Sequence, residues 1–91
     1  MIKSFKCSDT ETLFRLGRVR RFVNLERPAL RKLEQLELAL NLDDLRVPPA
    51  NHLEKLSGDR AGQWSIRIND QFRLCFRWHE GAEDVEIVDY H

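Results

Sequence analysis

The sequence predicts an α+β fold in which two N-terminal helices pack on an antiparallel sheet. Leu30, Leu33, Leu36 and Leu40 recur at three- and four-residue steps, the spacing of one buried helix face. From Trp64 onward the apolar period changes to two, in Trp64/Ile66/Ile68, then Phe72/Leu74/Phe76/Trp78, then Val85/Ile87. The gaps between these runs are short, so the three strands read as a meander.

A chain of 91 residues reads as one domain, spanning 1–91, with a thin core. It has 33% charged and 42% hydrophobic residues, a globular balance that excludes a disordered chain. Cys7 and Cys75 are too few for a disulfide framework and form no CxxC pair; they read as reduced thiols of a cytoplasmic protein. No apolar run approaches the ~18 residues of a membrane span, and Met1–Phe5 lacks the apolar stretch of a signal peptide. The expectation is a cytoplasmic protein with no membrane partner.

The elements follow in order. Residues 2–6 offer a short first strand anchored by Ile2 and Phe5. Ser8-Asp9-Thr10-Glu11 has the pattern of a capping box, with Ser8 as the cap and Glu11 reaching back. Leu13, Phe14 and Leu16 continue that helix, and Gly17 stops it. A second helix runs from about Asn24 to Leu40, with Pro28 in its first turn and Asn41 as a left-handed exit. Leu42 to Leu56 is irregular, and Pro48-Pro49 favours an extended path there. Ser57-Gly58-Asp59-Arg60 is a turn.

The strand register is set by the apolar residues, because a one-residue slip would expose them all. Ile68 then faces Phe72, Ile66 faces Leu74, and Trp64 faces Phe76, around the loop Asn69-Asp70-Gln71. The same register places Arg67 opposite Arg73 on the other face. Like charges so placed repel by roughly a few tenths of a kcal/mol. Two readings are open: the arginines splay into water or onto protein carboxylates, or they hold an anion between them, for which the planar guanidinium suits phosphate. In the next hairpin, pairing Phe76 with Val85 sets Arg77 opposite Asp84, Leu74 opposite Ile87, Arg73 opposite Val88 and Gln71 opposite Tyr90. Tyr90 thereby becomes a diagonal neighbour of Arg73, flanked by Asp89 and His91.

Charge is unevenly spread on a formally neutral chain. Arg15 to Lys32 holds seven basic residues and one acid, Glu26, a local +6. Arg18, Arg20, Arg21, Arg27, Arg31 and Lys32 thus form either a solvated helix face or a surface for a polyanion. The three histidines, His52, His79 and His91, show no zinc-ligand spacing, so no metal is expected. The four glycines are scattered, so no phosphate loop is present.

The cluster Arg67, Arg73, Asp89, Tyr90 and His91 contains the groups that RNA cleavage by an internal 2′-hydroxyl needs. Histidine suits either proton step. Aspartate serves as a base or orients the histidine. Arginine stabilises charge on the phosphorane. Tyrosine donates a hydrogen bond or stacks on a base.

Leu56-Ser57-Gly58-Asp59-Arg60, Gly62, Trp64-Ser65-Ile66-Arg67, Phe72-Arg73-Leu74-Cys75-Phe76 and the terminal Asp89-Tyr90-His91 together resemble the HigB branch of the RelE/ParE toxins. The resemblance covers most of the chain. It implies a RelE-like, microbial-ribonuclease-like sheet and a type II toxin that cleaves messenger RNA in the ribosomal A site without cofactor or metal. It also implies a HigA-type helix-turn-helix antitoxin, with operator DNA engaged only through that complex. By position, Arg73 would contact the scissile phosphate, with Arg67 as a second contact, and Asp89, Tyr90 and His91 would complete the site. Where some relatives carry a functional His and Lys in the preceding loop, this chain has Glu54 and Ser57; His52 and Lys55 stand nearby as substitutes. The basic residues would then meet ribosomal RNA. The fold equally accommodates a ParE-like gyrase inhibitor without catalysis, or a weak or non-enzymatic co-repressor acting with its antitoxin.

Overall fold

The computed structural model describes residues 1–89; Tyr90 and His91, and the expected Gln71–Tyr90 pairing, lie outside the described residues. Its architecture is α+β: helices α1 (Ser8–Leu16) and α2 (Glu26–Leu38) lie against one antiparallel sheet of β1 (Glu54–Lys55), β2 (Trp64–Arg67), β3 (Phe72–Trp78) and β4 (Ala82–Asp89), in the order β1-β2-β3-β4.

Helix α1 begins one residue earlier than a Ser8 cap requires. The Cys7 carbonyl accepts the Glu11 amide at 3.1 Å, and Cys7 caps without using its side chain. Ser8 is therefore inside the helix, and Glu11 pairs forward with Arg15 at 2.8 Å instead of closing a capping box. Gly17 ends the helix as expected: its φ of 80° is left-handed, and its amide reaches the Leu13 carbonyl at 2.8 Å.

The stretch before α2 is a 3-10 turn, Arg20–Leu25, kinked at Phe22. Pro28 then sits in the first turn of α2, where its missing N–H leaves no bond unmade. Leu33 and Leu36 are fully buried, and Ala29 shares their face. Leu40 does not join them. The helix ends at Leu38, the backbone turns extended at Ala39, and Leu40 is 89% exposed. Asn41 is extended rather than left-handed, and forms a capping box with Asp44 at the start of the 3-10 turn Leu42–Arg46.

Leu13, Phe22, Leu25, Leu33 and Leu36 pack against Ile66, Ile68, Leu74, Phe76, Val85 and Ile87. This is the apolar face that the period-two pattern marks out. The first hairpin has the expected register, with Ile66 opposite Leu74 and Arg67 opposite Arg73. In the second, Leu74 faces Ile87 and Arg73 faces Val88. Beyond Cys75 a bulge intervenes, so Arg77 lies opposite Glu83 rather than Asp84, and Phe76 has no Val85 partner in the ladder. Asp84 takes the strain with φ 53°, a left-handed conformation that Asp tolerates better than most residues. The charge match survives: Arg77 Nε is 3.7 Å from the Asp84 carboxylate.

Two edges differ from expectation. Residues 2–6 form no full strand; Ile2 and Phe5 make isolated parallel bridges to Ala82 and Val85 along the outer side of β4. Conversely, the segment read as irregular contains β1, where Glu54 pairs with Ser65 and Lys55 with Trp64. Among the described residues, no helix is long and apolar enough to cross a membrane.

Candidate active site

Alternation along the strands sends Ser65, Arg67, Arg73, Cys75 and Glu86 to the sheet face opposite the helices. Ser65 and Cys75 are fully buried, and Arg73 is the buried charged member of this row, 9% exposed. A buried guanidinium must have its N–H groups satisfied. Its Nε donates to Ser65 Oγ at 2.8 Å, and its Nη2 to the His52 carbonyl at 2.6 Å. Its Nη1 lies 3.5 Å from Glu54 Oε1. The planar fork is thus fixed by β2, by the loop before β1, and by β1 itself. Arg67, directly opposite, donates to Asp70 in the hairpin loop and is about a third exposed. The two arginines therefore take protein acceptors, one of the two open readings, while sitting side by side.

The remaining sequence-derived candidates fall in different places. His52 is exposed with left-handed backbone (φ 46°), and reaches Arg73 through its carbonyl rather than its ring. Lys55 is exposed on β1. Asp89 pairs opposite Phe72, one residue out of phase with Val88 and Arg73, and its carboxylate accepts a bond from Gln71 Nε2 at 3.0 Å. By alternation Asp89 belongs to the opposite face from Arg73, at the end of the sheet. Tyr90 and His91 lie outside the described residues.

The basic residues are not one uniform stripe. Arg18 pairs with Glu26 and Arg21 with Asp9, both at 3.3 Å, and Arg21 also sits over the Phe22 ring. Arg20, Arg27 and Arg31 are exposed. Lys32 is half-buried and feels the sheet: burial, then Arg31, then Arg67 push its ammonium below the ordinary lysine range. Lys32 on α2 is therefore near enough to the Arg67 end of the sheet to feel its charge.

Sequence reasoning missed Ser65 and Asn51 as parts of the site. It also missed Arg60, whose Nη1 reaches across from the Gly58–Arg60 turn to Glu86 at 2.9 Å and Gln63 at 3.1 Å. The Gly-Asp-Arg motif was the available signal for Arg60. Cys75 lies beneath this bridge, fully buried. Burial pushes its thiol up despite the nearby Arg60, which keeps it protonated and a poor nucleophile. Among the described residues no three His, Cys, Asp or Glu side chains are grouped so as to hold a metal ion.

Residues 3–91 match the family model of the HigB-like toxin, described as the RelE-like toxin of the type II toxin–antitoxin system HigB. Toxin HigB-1 of Vibrio cholerae is 43% identical over 68 residues, covering 75% of this chain and 72% of the relative. An uncharacterized protein of Haemophilus influenzae is 38% identical over 68 residues, 75% of this chain and 67% of its own. Endoribonuclease HigB of Proteus vulgaris is 30% identical over 93 residues, spanning the whole of both chains. The match spans both the helices and the meander, and this chain belongs to the HigB family of RelE-like type II toxins.

Proposed function

We propose that this protein is a ribosome-dependent endoribonuclease that cleaves messenger RNA in the A site by attack of the 2′-hydroxyl, without metal. The observation that carries this reading is Arg73. A guanidinium held at three corners on the open face, beside Arg67, is preorganised for charge that grows on a phosphate in the transition state. The full-length relative from Proteus vulgaris, named an endoribonuclease, supports the same chemistry. In this reading Arg73 holds the scissile phosphate and Arg67 is a second contact. His91 carries the proton transfers, Asp89 at the sheet end orients it, and Tyr90 hydrogen-bonds or stacks. Lys55 and the His52 ring stand at the site's edge as supporting groups. Arg18, Arg20, Arg21, Arg27, Arg31 and Lys32 hold ribosomal RNA through salt-dependent contacts. The protein works in the cytoplasm, is neutralised by a HigA-type helix-turn-helix antitoxin, and meets operator DNA only through that complex.

One observation favours a slow enzyme, the co-repressor end of the range. The Glu54 carboxylate already sits 3.5 Å from Arg73 Nη1, so an incoming phosphate meets a competing anion there.

Induced expression is expected to arrest growth, with primer extension revealing cuts within translated messages. Arg73→Ala and deletion of His91 are expected to relieve both. Full toxicity in both variants would sink the site assignment. Intact transcripts accompanied by DNA damage would instead identify a gyrase inhibitor.

A further inference from the structure

Asn51 is completely buried, yet the active-site chemistry gives it no role. It sits in the short 3-10 turn Pro49–Asn51, and every polar atom of its side chain is used. Its Oδ1 accepts Lys32 Nζ at 2.6 Å. Its Nδ2 donates to Gln35 Oε1 at 3.0 Å and to the Leu45 carbonyl at 3.1 Å, with the Val47 carbonyl at 3.4 Å. The amide orientation is chemically forced, because an ammonium only donates and a carbonyl only accepts. Asn51 thus bolts the loop to two side chains of α2 and to two carbonyls of the preceding turn.

The next residue is His52, with φ 46° and ψ 58°. A non-glycine residue stays in that region only when its surroundings over-determine it. The His52 side chain is exposed and supplies no buried anchor. The anchoring comes from the residue before it. Two backbone bonds, Asn51 N to Pro48 O at 2.9 Å and His52 N to Pro49 O at 3.0 Å, close the turn around the buried amide. That conformation aims the His52 carbonyl at Arg73 Nη2, 2.6 Å away. Two residues later the same segment delivers the Glu54 carboxylate to Nη1. Two of the acceptors that set the Arg73 fork therefore hang from one loop, and Asn51 sets the position of that loop.

We propose that Asn51 is a positioning residue for Arg73: its buried amide clamps the loop whose His52 carbonyl orients the guanidinium on the open face of the sheet. The inference rests on the reading of Arg73 as the phosphate-binding group. It also makes α2 part of the site's scaffold, since Lys32 and Gln35 hold the clamp from outside.

The test follows the Arg73 side chain itself in 15N-labelled protein, with its Nε–Hε signal identified by its loss in Arg73→Lys. In Asn51→Ala that signal is expected to shift and exchange faster with water while the sheet amides keep their native pattern. With programmed ribosomes as substrate, kcat is expected to fall on the order of 10- to 100-fold and KM to change by less than about threefold. Gln35→Ala, which removes one acceptor of the clamp, is expected to move the signal in the same direction by less. An unmoved Arg73 signal in folded Asn51→Ala overturns the proposal. Should Asn51→Ala fail to fold, an unmoved signal in Gln35→Ala overturns it equally. If the signal moves but the wild-type protein cleaves no message, positioning stands and the ribonuclease reading falls.

Discussion

Arg73 and Leu74 are neighbours on β3, yet they answer to different physics. Leu74 points into the helix-covered face, where it is fully buried among apolar side chains. Arg73 points to the other face and is almost as buried, but its guanidinium is held by polar, directional contacts to Ser65, the His52 carbonyl and Glu54. The covered face tolerates exchange of shape for shape, because dispersion and burial have no preferred direction. The open face depends on angles and on the identity of single atoms. One strand thus carries stability and function on alternate residues, and the two can be separated by substitution one position apart.

The largest expected effect breaks the covered face. Leu74→Ala should cost about 2–5 kcal/mol of folding stability, read by urea unfolding, while the surviving folded fraction retains its activity per molecule. Arg73→Ala comes next and should do the reverse. It should cost about 10²–10³-fold in message cleavage, about 3–4 kcal/mol in transition-state terms, with a midpoint shift smaller than that of Leu74→Ala. Equal unfolding shifts in the two variants would erase the contrast between the faces.

A smaller effect sharpens the open face. Glu54 is more than half exposed, so Glu54→Gln should change stability by less than about 1 kcal/mol. It should raise the affinity of the Arg73 site for phosphate a few-fold, measured by titration of the Arg73 signal, because an internal competitor is gone. Unchanged affinity would mean that Glu54 does not compete. The smallest effect is electrostatic. Lys32 is held below the ordinary lysine range by burial first, then by Arg31 and Arg67. The folded state disfavours its proton, so folding stability should rise as pH climbs from the folded value toward the unfolded one. Arg67→Ala should move the Lys32 titration slightly upward in side-chain NMR, and a static titration would disconnect α2 from the sheet end.

The covered face was legible in the sequence because its signal is periodic. Phe72 to Trp78 alternates without interruption, and the register through Arg67 and Arg73 follows from that alternation. The open face was legible only where it shares the register. Ser65 and Asn51 carry no pattern, and the contribution of His52 is a backbone carbonyl that any residue could supply. The bulge at Asp84 was hidden because a left-handed aspartate leaves no glycine to mark it. The Ser8 motif misled because the helix starts one residue earlier: Cys7 is the N-cap, its carbonyl accepts the first helical bond from Glu11, and Ser8 already lies inside. Leu40 fits the helical spacing but lies beyond the end of α2, where spacing no longer implies a face.

The first residues of the chain have a consequence for crowding. Met1 to Lys6 run along β4 and take its outward amides and carbonyls: Ala82 N bonds Met1 O, Lys3 N bonds Ala82 O, Val85 N bonds Ser4 O and Lys6 N bonds Val85 O. Further along, Thr10 Oγ1 takes the Ile87 amide. The opposite margin of the sheet is only Glu54–Lys55, two charged residues. Among the described residues, neither margin offers a long unpaired strand on which another chain could template. Stacking sheet upon sheet is therefore a route that the described edges of this toxin do not invite.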